Sequence, residues 1–217
     1  QTPTLAMLVE RAGQISNFQK EKYFNVELDC DGIPAVKPKI FDPDEAEQLR
    51  SRCQGSEAIV TAVKETEKKV KAPKLYDLTT LQREANRIYG MTAKQTLDTA
   101  QSLYEKKLIT YPRTDSQYLT EDMEQTARNV VRQIYEKYQL TGPFDQPDQP
   151  DVKKVMNNSK VTDHHAIIPT MELASSHLDE LKSWEEKILF LIAVHTVMAM
   201  SKDHIYQETE IEVECQG

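Results

Sequence analysis

The stretch TTLQREANRIYGMTAKQTLDTAQSLYEKKLITYPR, residues 79–113, carries two helical patterns that meet at a glycine. A capping box at Thr79 should begin the first helix, and Gly90 should end it. Thr92 should cap the second helix, which is expected to run to about Lys106. Two short helices joined by a glycine-containing turn are typical of a helix-turn-helix unit, so this stretch predicts a helical block in the middle of the chain.

Alternating patterns lie on both sides of this helical block. KYFNVELDC, residues 22–30, alternates apolar and polar positions and predicts a half-buried strand, which Asp31-Gly32 should turn into a hairpin. A further strand is expected from Glu57, and a long strand with one acidic face from Ile205. The order of strands, helices and strands predicts an α+β fold, in which the closing strand rejoins the opening sheet and the helical block is inserted between them.

Two more helices are expected after the first pair. Thr120 should cap a third helix, and Ser183 should open a capping box for a fourth from Trp184 to about Met200. The last helix is apolar around much of its circumference, so it should be buried on several sides. Between them, the proline-rich segment TGPFDQPDQPD, residues 141–151, predicts a surface loop.

The charge balance restricts the ways in which this chain could bind nucleic acid. With 27 basic and 35 acidic residues among 217, the formal net charge is −8, which argues against a surface built uniformly for nucleic acid. Residues 81–116 differ, because six basic and four acidic side chains give this slice a local charge of +2.

The three cysteines are Cys30, Cys53 and Cys215, and they form no CxxC pair. Their spacing therefore suggests neither a zinc site nor a disulfide framework, and a reducing cytoplasm is the expected location. The most apolar stretch, ILFLIAV at 188–194, is far shorter than the roughly 20 residues that cross a bilayer, so no membrane association is expected.

Tyr111 stands directly before Pro112, and Arg113 follows. The residue before proline is disfavoured in a helix, so the tyrosine should be extended, with the arginine projecting from the same side. A phenol has a pKa of about 10, and a nearby cation favours its reactive phenolate. An arginine fork also suits the non-bridging oxygens of a phosphodiester. The pair could act as a nucleophile with its anion clamp, or it could be an ordinary surface pair.

Three segments together resemble one enzyme family. LITYPRTDSQYL, residues 108–119, resembles the active-site segment of type IA DNA topoisomerases. KVTDHHAIIPT, residues 160–170, resembles a second motif of that family, and QTPTL at the start resembles the end of a third. The double histidine followed by AIIPT is more similar to bacterial topoisomerase III than to topoisomerase I, in which a glutamate usually follows the first histidine.

The resemblance implies a role for each matched residue. Tyr111 would be the nucleophile that becomes linked to a 5′ phosphate, and Arg113 would position and neutralise the scissile phosphate. His164 would contact that phosphate and support cleavage. The other DNA contacts that the resemblance implies are Gln1, Lys160 and His165.

The resemblance also implies a domain order and an activity. The expected parts are the tail of a helical DNA-binding domain at 1–12, an antiparallel β-rich arch at 13–74 and 203–217, a helical, CAP-like domain carrying the tyrosine at 75–170, and a connecting buried helix at 171–202. The enzyme would cut one DNA strand, pass a strand and reseal the break without ATP, thereby relaxing or decatenating DNA. It would act as a monomer on single-stranded DNA. The Mg²⁺ ligands would belong to an upstream Toprim domain, so this chain is expected to be a fragment that is inactive alone.

Other interpretations of the same residues remain open. The helical pair could be a non-catalytic helix-turn-helix-like DNA-binding module that uses Arg83 and Arg87, or the acidic strand could face a basic protein partner. Adjacent histidines without a cysteine or carboxylate cluster predict no metal site in this chain. Asp163 could orient His164 through a hydrogen bond or cap the next turn.

Overall fold

The computed structural model describes residues 2–140 and 150–216, and it divides into two compact units. Residues 1–67 and 207–217, which include both ends of the chain, form the terminal unit. Residues 68–206 form the central unit. The expected mixture of helices and antiparallel strands is confirmed, whereas the arch, the CAP-like domain and the five domain boundaries stay predictions.

The terminal unit begins with helix α1 (Thr2–Ser16), which buries none of its side chains. Strands β1 (Phe24–Cys30) and β2 (Ile33–Ile40) pair as the predicted antiparallel hairpin. Asp31 and Gly32 turn it with φ of 52° and 89°, the left-handed region that Asp and Gly tolerate best. The predicted alternation of inward and outward side chains in β1 is also confirmed at Val26, which is buried while its neighbours on either side are exposed.

Helix α2 (Pro43–Cys53) follows the hairpin, and no helix was predicted at this position from the sequence. Asp42 caps it by accepting a hydrogen bond from the Asp44 N–H at 2.9 Å, and Pro43 occupies the first turn. An aspartate followed by proline and two acidic residues is a standard helix start, so the signal for α2 was present in the sequence.

The two remaining strands are long and largely exposed. Strand β3 (Ile59–Val70) pairs with strand β4 (His204–Glu214). The closing strand thus rejoins one of the opening strands, and the helical block is inserted between β3 and β4 as predicted. The expectation of one shared sheet is wrong, since the described strands form two separate two-stranded sheets, β1–β2 and β3–β4. The strand from residue 204 is nevertheless present with its predicted acidic face.

The central unit is built from four helices around one apolar core. They are α3 (Leu78–Tyr89), α4 (Ala93–Glu105), α5 (Glu124–Tyr138) and α6 (Ser183–Ala199). Helix α6 packs against each of the other three, which confirms that it is buried on several sides. In the described ranges, no helix has the length and apolar character needed to span a membrane.

Two helix starts differ from the sequence prediction because a different side chain caps each helix. Asp77 rather than Thr79 caps α3, accepting from the Thr80 N–H at 2.7 Å, while the Thr80 hydroxyl accepts from the Asp77 N–H at 3.1 Å. Thr120 makes no capping hydrogen bond with its side chain, and a short 3-10 turn at Glu121–Met123 precedes α5. By contrast, the predicted Thr92 cap of α4 is confirmed.

The predicted capping box at the start of α6 is also wrong. Ser183 is already the first helical residue, and the Lys182 N–H donates to the Glu185 Oε2 atom at 2.9 Å. Glu185 is buried, whereas the predicted partner Glu186 is exposed. Helical spacing from Leu81 and Ala85 places Ile88 of α3 on their inward side, yet Ile88 is 45% exposed. Positions 141–149 of the proline-rich segment lie outside the described residues, so the surface loop stays a prediction.

Candidate nucleophile site

The two chain segments that carry the unusual motifs lie side by side in the central unit. The Thr110 N–H donates to the Ile168 carbonyl at 2.9 Å, and the Thr170 N–H donates to the Leu108 carbonyl at 3.0 Å. Further along, the Ala166 N–H donates to the Tyr118 carbonyl at 2.9 Å. Hydrogen bonds therefore join residues 108–119 to residues 160–170 at several points, and Ile109 and Pro169 form an isolated antiparallel bridge between them.

Three hydroxyl side chains fasten the second segment to the first. The Thr110 hydroxyl donates to the Ala166 carbonyl at 3.0 Å, and the Thr114 hydroxyl donates to the His164 carbonyl at 3.0 Å. The Ser116 hydroxyl donates to the Lys160 carbonyl at 2.9 Å. Thr114 and Ser116 are buried, so these bonds are shielded from competition with water.

Tyr111 is half-buried and contacts two other aromatic rings. Its ring centroid lies 4.4 Å from that of His164, with the ring planes tilted by 46°. The ring of Tyr104, from the last turn of α4, meets it edge-on at 5.4 Å. Because Thr114 holds the backbone of His164, the tyrosine and the histidine are positioned by the same pair of segments.

Arg113 and His164 line one open hollow of about 450 Å³. Both side chains are exposed, and among the described residues Arg113 forms no ion pair. The first residues of α3, Leu78 and Thr79, also face this hollow. The Asp77 carboxylate caps this helix start and offsets its partial positive charge, so the Arg113 guanidinium is the main attraction for an anion here.

Three aspartates also line the hollow, and they do different things. Asp77 is occupied in capping α3. Asp115 and Asp163 are exposed. Within the ranges that the structure describes, Asp163 makes no hydrogen bond to the His164 ring, so the proposed orienting bond has no support here.

Two lysines and a tyrosine form a second cluster, to which the two segments contribute Lys160 and Tyr118. The Lys160 Nζ lies 5.0 Å from the centroid of the Tyr118 ring, and the Lys74 Nζ lies 5.6 Å from it. Both lysines are exposed and the tyrosine is half-buried. The sequence prediction included Lys160 but missed Lys74 and Tyr118, because only the fold brings residue 74 next to the motif.

His165 makes a different contact from its neighbour. Its Nδ1 atom lies 2.8 Å from the Ala166 carbonyl, and since a carbonyl oxygen only accepts, Nδ1 carries the proton. The Nε2 atom makes no hydrogen bond to another described residue, and it can accept one. Gln1, the remaining predicted contact, lies outside the described residues.

A half-buried histidine of α6 packs beneath this region. His195 of α6 stacks on Tyr76 with ring centroids 3.7 Å apart, and its Nε2 donates to the Lys74 carbonyl at 2.7 Å. Burial lowers the pKa of His195, so it is neutral at physiological pH. Tyr76 in turn accepts the Ile167 N–H at its carbonyl at 2.8 Å, which connects α6 to the double-histidine segment.

No group of three or more His, Cys, Asp or Glu side chains in the described part of the chain is arranged to hold a metal ion. The arrangement thus offers a phenol in contact with an imidazole, and the imidazole shares a hollow with a guanidinium. These groups can attack, and stabilise charge on, a phosphodiester.

Comparison with known proteins gives one consistent family. The family model described as DNA topoisomerase matches residues 1–217. DNA topoisomerase 3 of Bacillus licheniformis is 37% identical over 227 residues, covering 100% of this chain and 31% of that protein. DNA topoisomerase 3 of Staphylococcus epidermidis is 36% identical over 220 residues, covering 99% of this chain and 31% of that protein.

A solved structure agrees with the sequence matches. Full-length topoisomerase I from Thermotoga maritima aligns with a TM-score of 0.73 and 27% identity, covering 98% of this chain and 35% of that one. The chain thus spans about a third of the length of each of these relatives.

Proposed function

This chain belongs to the DNA topoisomerase family, and from that premise we propose that it carries the nucleophile half of a type IA active site. The observation that carries the proposal is the contact between the Tyr111 and His164 rings, 4.4 Å apart, beside the hollow lined by Arg113. Residues from two distant motifs meet there, around the one tyrosine that precedes a proline.

The proposed reaction is a reversible transesterification of one DNA strand. The Tyr111 Oη forms a bond to the phosphorus, and the bond from phosphorus to the 3′ oxygen breaks. The phenol loses its proton, the leaving 3′ oxygen gains one, and the protein holds the 5′ phosphate as a tyrosine ester. The ester conserves the energy of the broken bond, so the reverse reaction reseals the strand without ATP.

Arg113 and His164 would act on the phosphate rather than on the leaving group. The guanidinium suits two non-bridging oxygens at once, and it has no ion-pair partner among the described residues to compete with them. His164 contacts the tyrosine ring and faces the hollow, so it can donate to the same phosphate.

The flanking DNA would bind along the joined segments. Lys160 and Lys74 both lie near the Tyr118 ring. They supply exposed positive charge for backbone phosphates. His165 and Gln1 are further proposed contacts. Single-stranded DNA suits such a surface, because lysines and aromatic rings bind an exposed backbone and unstacked bases.

The Mg²⁺ that the family implies does not fit the residues described here, since they contain no cluster that could hold a metal ion. No step is therefore assigned to it in this chain. We propose that its ligands lie in a Toprim domain upstream in the whole protein, and that this chain alone neither cuts nor relaxes DNA. The whole enzyme would act as a cytoplasmic monomer that relaxes or decatenates DNA.

A helix-turn-helix module without catalysis is the weaker interpretation of the same helices. Its proposed contact Arg87 is already engaged, because its Nη2 lies 2.5 Å from the Glu84 Oε1 in α3. The family to which the chain belongs is also named for an enzyme.

The test is Tyr111→Phe in the full-length protein, assayed for relaxation of negatively supercoiled DNA. Loss of the hydroxyl should reduce relaxation by at least about a thousandfold, because the nucleophile is removed while the ring contacts remain. Tyr23→Phe, at a 51% exposed tyrosine of the terminal unit, is the matched control and should keep full activity. Relaxation that persists in Tyr111→Phe would show that another group attacks the DNA.

A further inference from the structure

Three cysteines that are far apart in the sequence come together in the terminal unit. Cys30 ends β1, Cys53 ends α2, and Cys215 directly follows β4. All three line one hollow among these elements. The sequence spacing indicated no pairing, because Cys53 and Cys215 are 162 positions apart and only the fold brings them together.

Cys53 and Cys215 are joined by reciprocal contacts. The Cys53 Sγ lies 3.4 Å from the Cys215 carbonyl oxygen, and the Cys215 Sγ lies 4.0 Å from the Cys53 carbonyl oxygen. Each thiol can therefore donate to the backbone of the other residue. A disulfide needs this close approach of two backbones, and rotation of each side chain about its Cα–Cβ bond turns the sulfurs toward one another.

The chemistry open to this cluster is oxidation rather than metal binding. Within the described ranges, no set of three such side chains is placed to hold a metal ion, although three thiols share the hollow. Burial, together with the neighbouring Cys53 and Cys30, raises the pKa of the Cys215 thiol. The Cys215 thiol is therefore mostly protonated at neutral pH, and its minor thiolate fraction is the form that can react. All three cysteines are free.

We propose that Cys53 and Cys215 form a reversible disulfide when the protein meets hydrogen peroxide. Cys215 is the more accessible of the two, so its thiolate attacks one peroxide oxygen, the O–O bond breaks, and water leaves with a sulfenic acid formed. The Cys53 sulfur then attacks that sulfur, the S–O bond breaks, and a second water leaves. The two sulfurs lose two electrons, which the peroxide gains.

The disulfide would have a large topological effect for a single bond. It closes a covalent ring from residue 53 to residue 215, which contains the entire central unit with the proposed nucleophile. Cross-linking residues so far apart restricts the unfolded chain, so the oxidised protein should unfold at a temperature several degrees higher than the reduced one. A dithiol reductant restores the starting state.

The experiment treats the reduced full chain with hydrogen peroxide, blocks the remaining thiols by alkylation, and maps a non-reducing digest by mass spectrometry. The expected product is a peptide pair that joins Cys53 to Cys215, with a single alkylated thiol at Cys30. Dithiothreitol should abolish the cross-link and reverse the shift in the unfolding temperature. Cys30→Ser should keep the cross-link, whereas Cys53→Ser and Cys215→Ser should lose it.

A second sample, oxidised in concentrated urea, separates folded geometry from random collision. The folded chain should give one pairing, while the unfolded chain should give a mixture of all three. If the folded chain gives no Cys53–Cys215 peptide, or gives the same mixture as the unfolded chain, the proposal is overturned. This outcome is independent of the proposed DNA chemistry, because none of the three cysteines belongs to the nucleophile site.

Discussion

The central and terminal units differ sharply in how much apolar surface they bury. Within residues 2–140 and 150–216, the core of the central unit contains 27 buried apolar residues, including Leu103 and Ile188 with no exposed surface. In the same ranges, the core of the terminal unit contains three, which are Val26, Ile40 and Ala46. The proposed nucleophile site therefore sits on the region whose geometry is held by dense packing, whereas the exposed strands and α1 have little to fix them internally.

The largest loss of stability should come from truncating a side chain in the densely packed core of the central unit. Leu103→Ala removes a fully buried side chain of α4, in the helix whose last turn places Tyr104 against Tyr111. Burial of this kind predicts a loss of about 2–5 kcal/mol in the free energy of unfolding, measured in urea. A loss below about 1 kcal/mol would mean that the central core is no better packed than the terminal one.

A buried carboxylate should make the stability of the central unit depend on pH. Burial raises the pKa of Glu185, but hydrogen bonds from Lys106, Ser102 and the Lys182 N–H outweigh it and lower the value from 4.5 to about 2. A lowered pKa in the folded state stabilises the fold above the unfolded value of 4.5, and this contribution is lost as the pH falls toward 2. The linked contribution at neutral pH is about 3 kcal/mol.

Glu185→Gln in α6 tests this directly. The variant should unfold more easily than the parent at pH 7, and the difference should shrink steadily as the pH falls below 4.5. Glu136→Gln, at an exposed glutamate of α5, is the matched control and should show no such convergence. Equal pH dependence of the two variants would show that the buried carboxylate is not held as an ion.

The sequence predicted the central unit better than it predicted the terminal one. Strong helical periodicity and local signals such as Gly90 identified all four long central helices, and the family resemblance is confirmed by the match over residues 1–217. The start of α3 was misplaced because Thr79 and Asp77 are both good capping residues, and only the fold selects between them. In the terminal unit, α2 was missed although Asp42-Pro43 signalled it.

The sequence named side chains that the structure brings together, but it did not name the residues that hold them in place. Tyr111 and His164 were named from their motifs, and the structure brings them together. The hydroxyls of Thr114 and Ser116 were not named, because small hydroxyl residues in a loop have many local partners. Thr114 and Ser116 occupy alternate positions of an extended segment, and both are buried. This alternation was the signal in the sequence that could have identified them. The clustering of Lys74 with Tyr118 depends on long-range contacts that no local pattern contains.

A smaller effect should distinguish the two candidate caps of α3. Asp77→Ala removes the side chain that accepts the Thr80 N–H, so it should cost about 1 kcal/mol of unfolding free energy. Thr79→Ala, two positions away and exposed, should change it by less than about 0.5 kcal/mol. Both losses are measured by urea unfolding. A larger loss for Thr79→Ala than for Asp77→Ala would show that Thr79 caps the helix, as the sequence suggested.

The smallest effect is expected on α1 of the terminal unit. Leu8 is 64% exposed and touches no core, so Leu8→Ala should change the unfolding free energy of this chain by less than about 0.5 kcal/mol. The difference between this loss and that of Leu103→Ala measures how much more the central unit depends on its packing. A cost near that of the buried leucine would show that α1 packs against the chain in solution.

The most direct test of the proposed nucleophile is to trap the covalent complex. The full-length protein is incubated with a labelled single-stranded oligonucleotide, denatured rapidly and digested, and the linked peptide is sequenced by mass spectrometry. We expect the 5′ phosphate of the broken strand on the Tyr111 oxygen, in a peptide that also contains Arg113. An adduct on a different side chain, or linkage through a 3′ phosphate, would contradict the assignment.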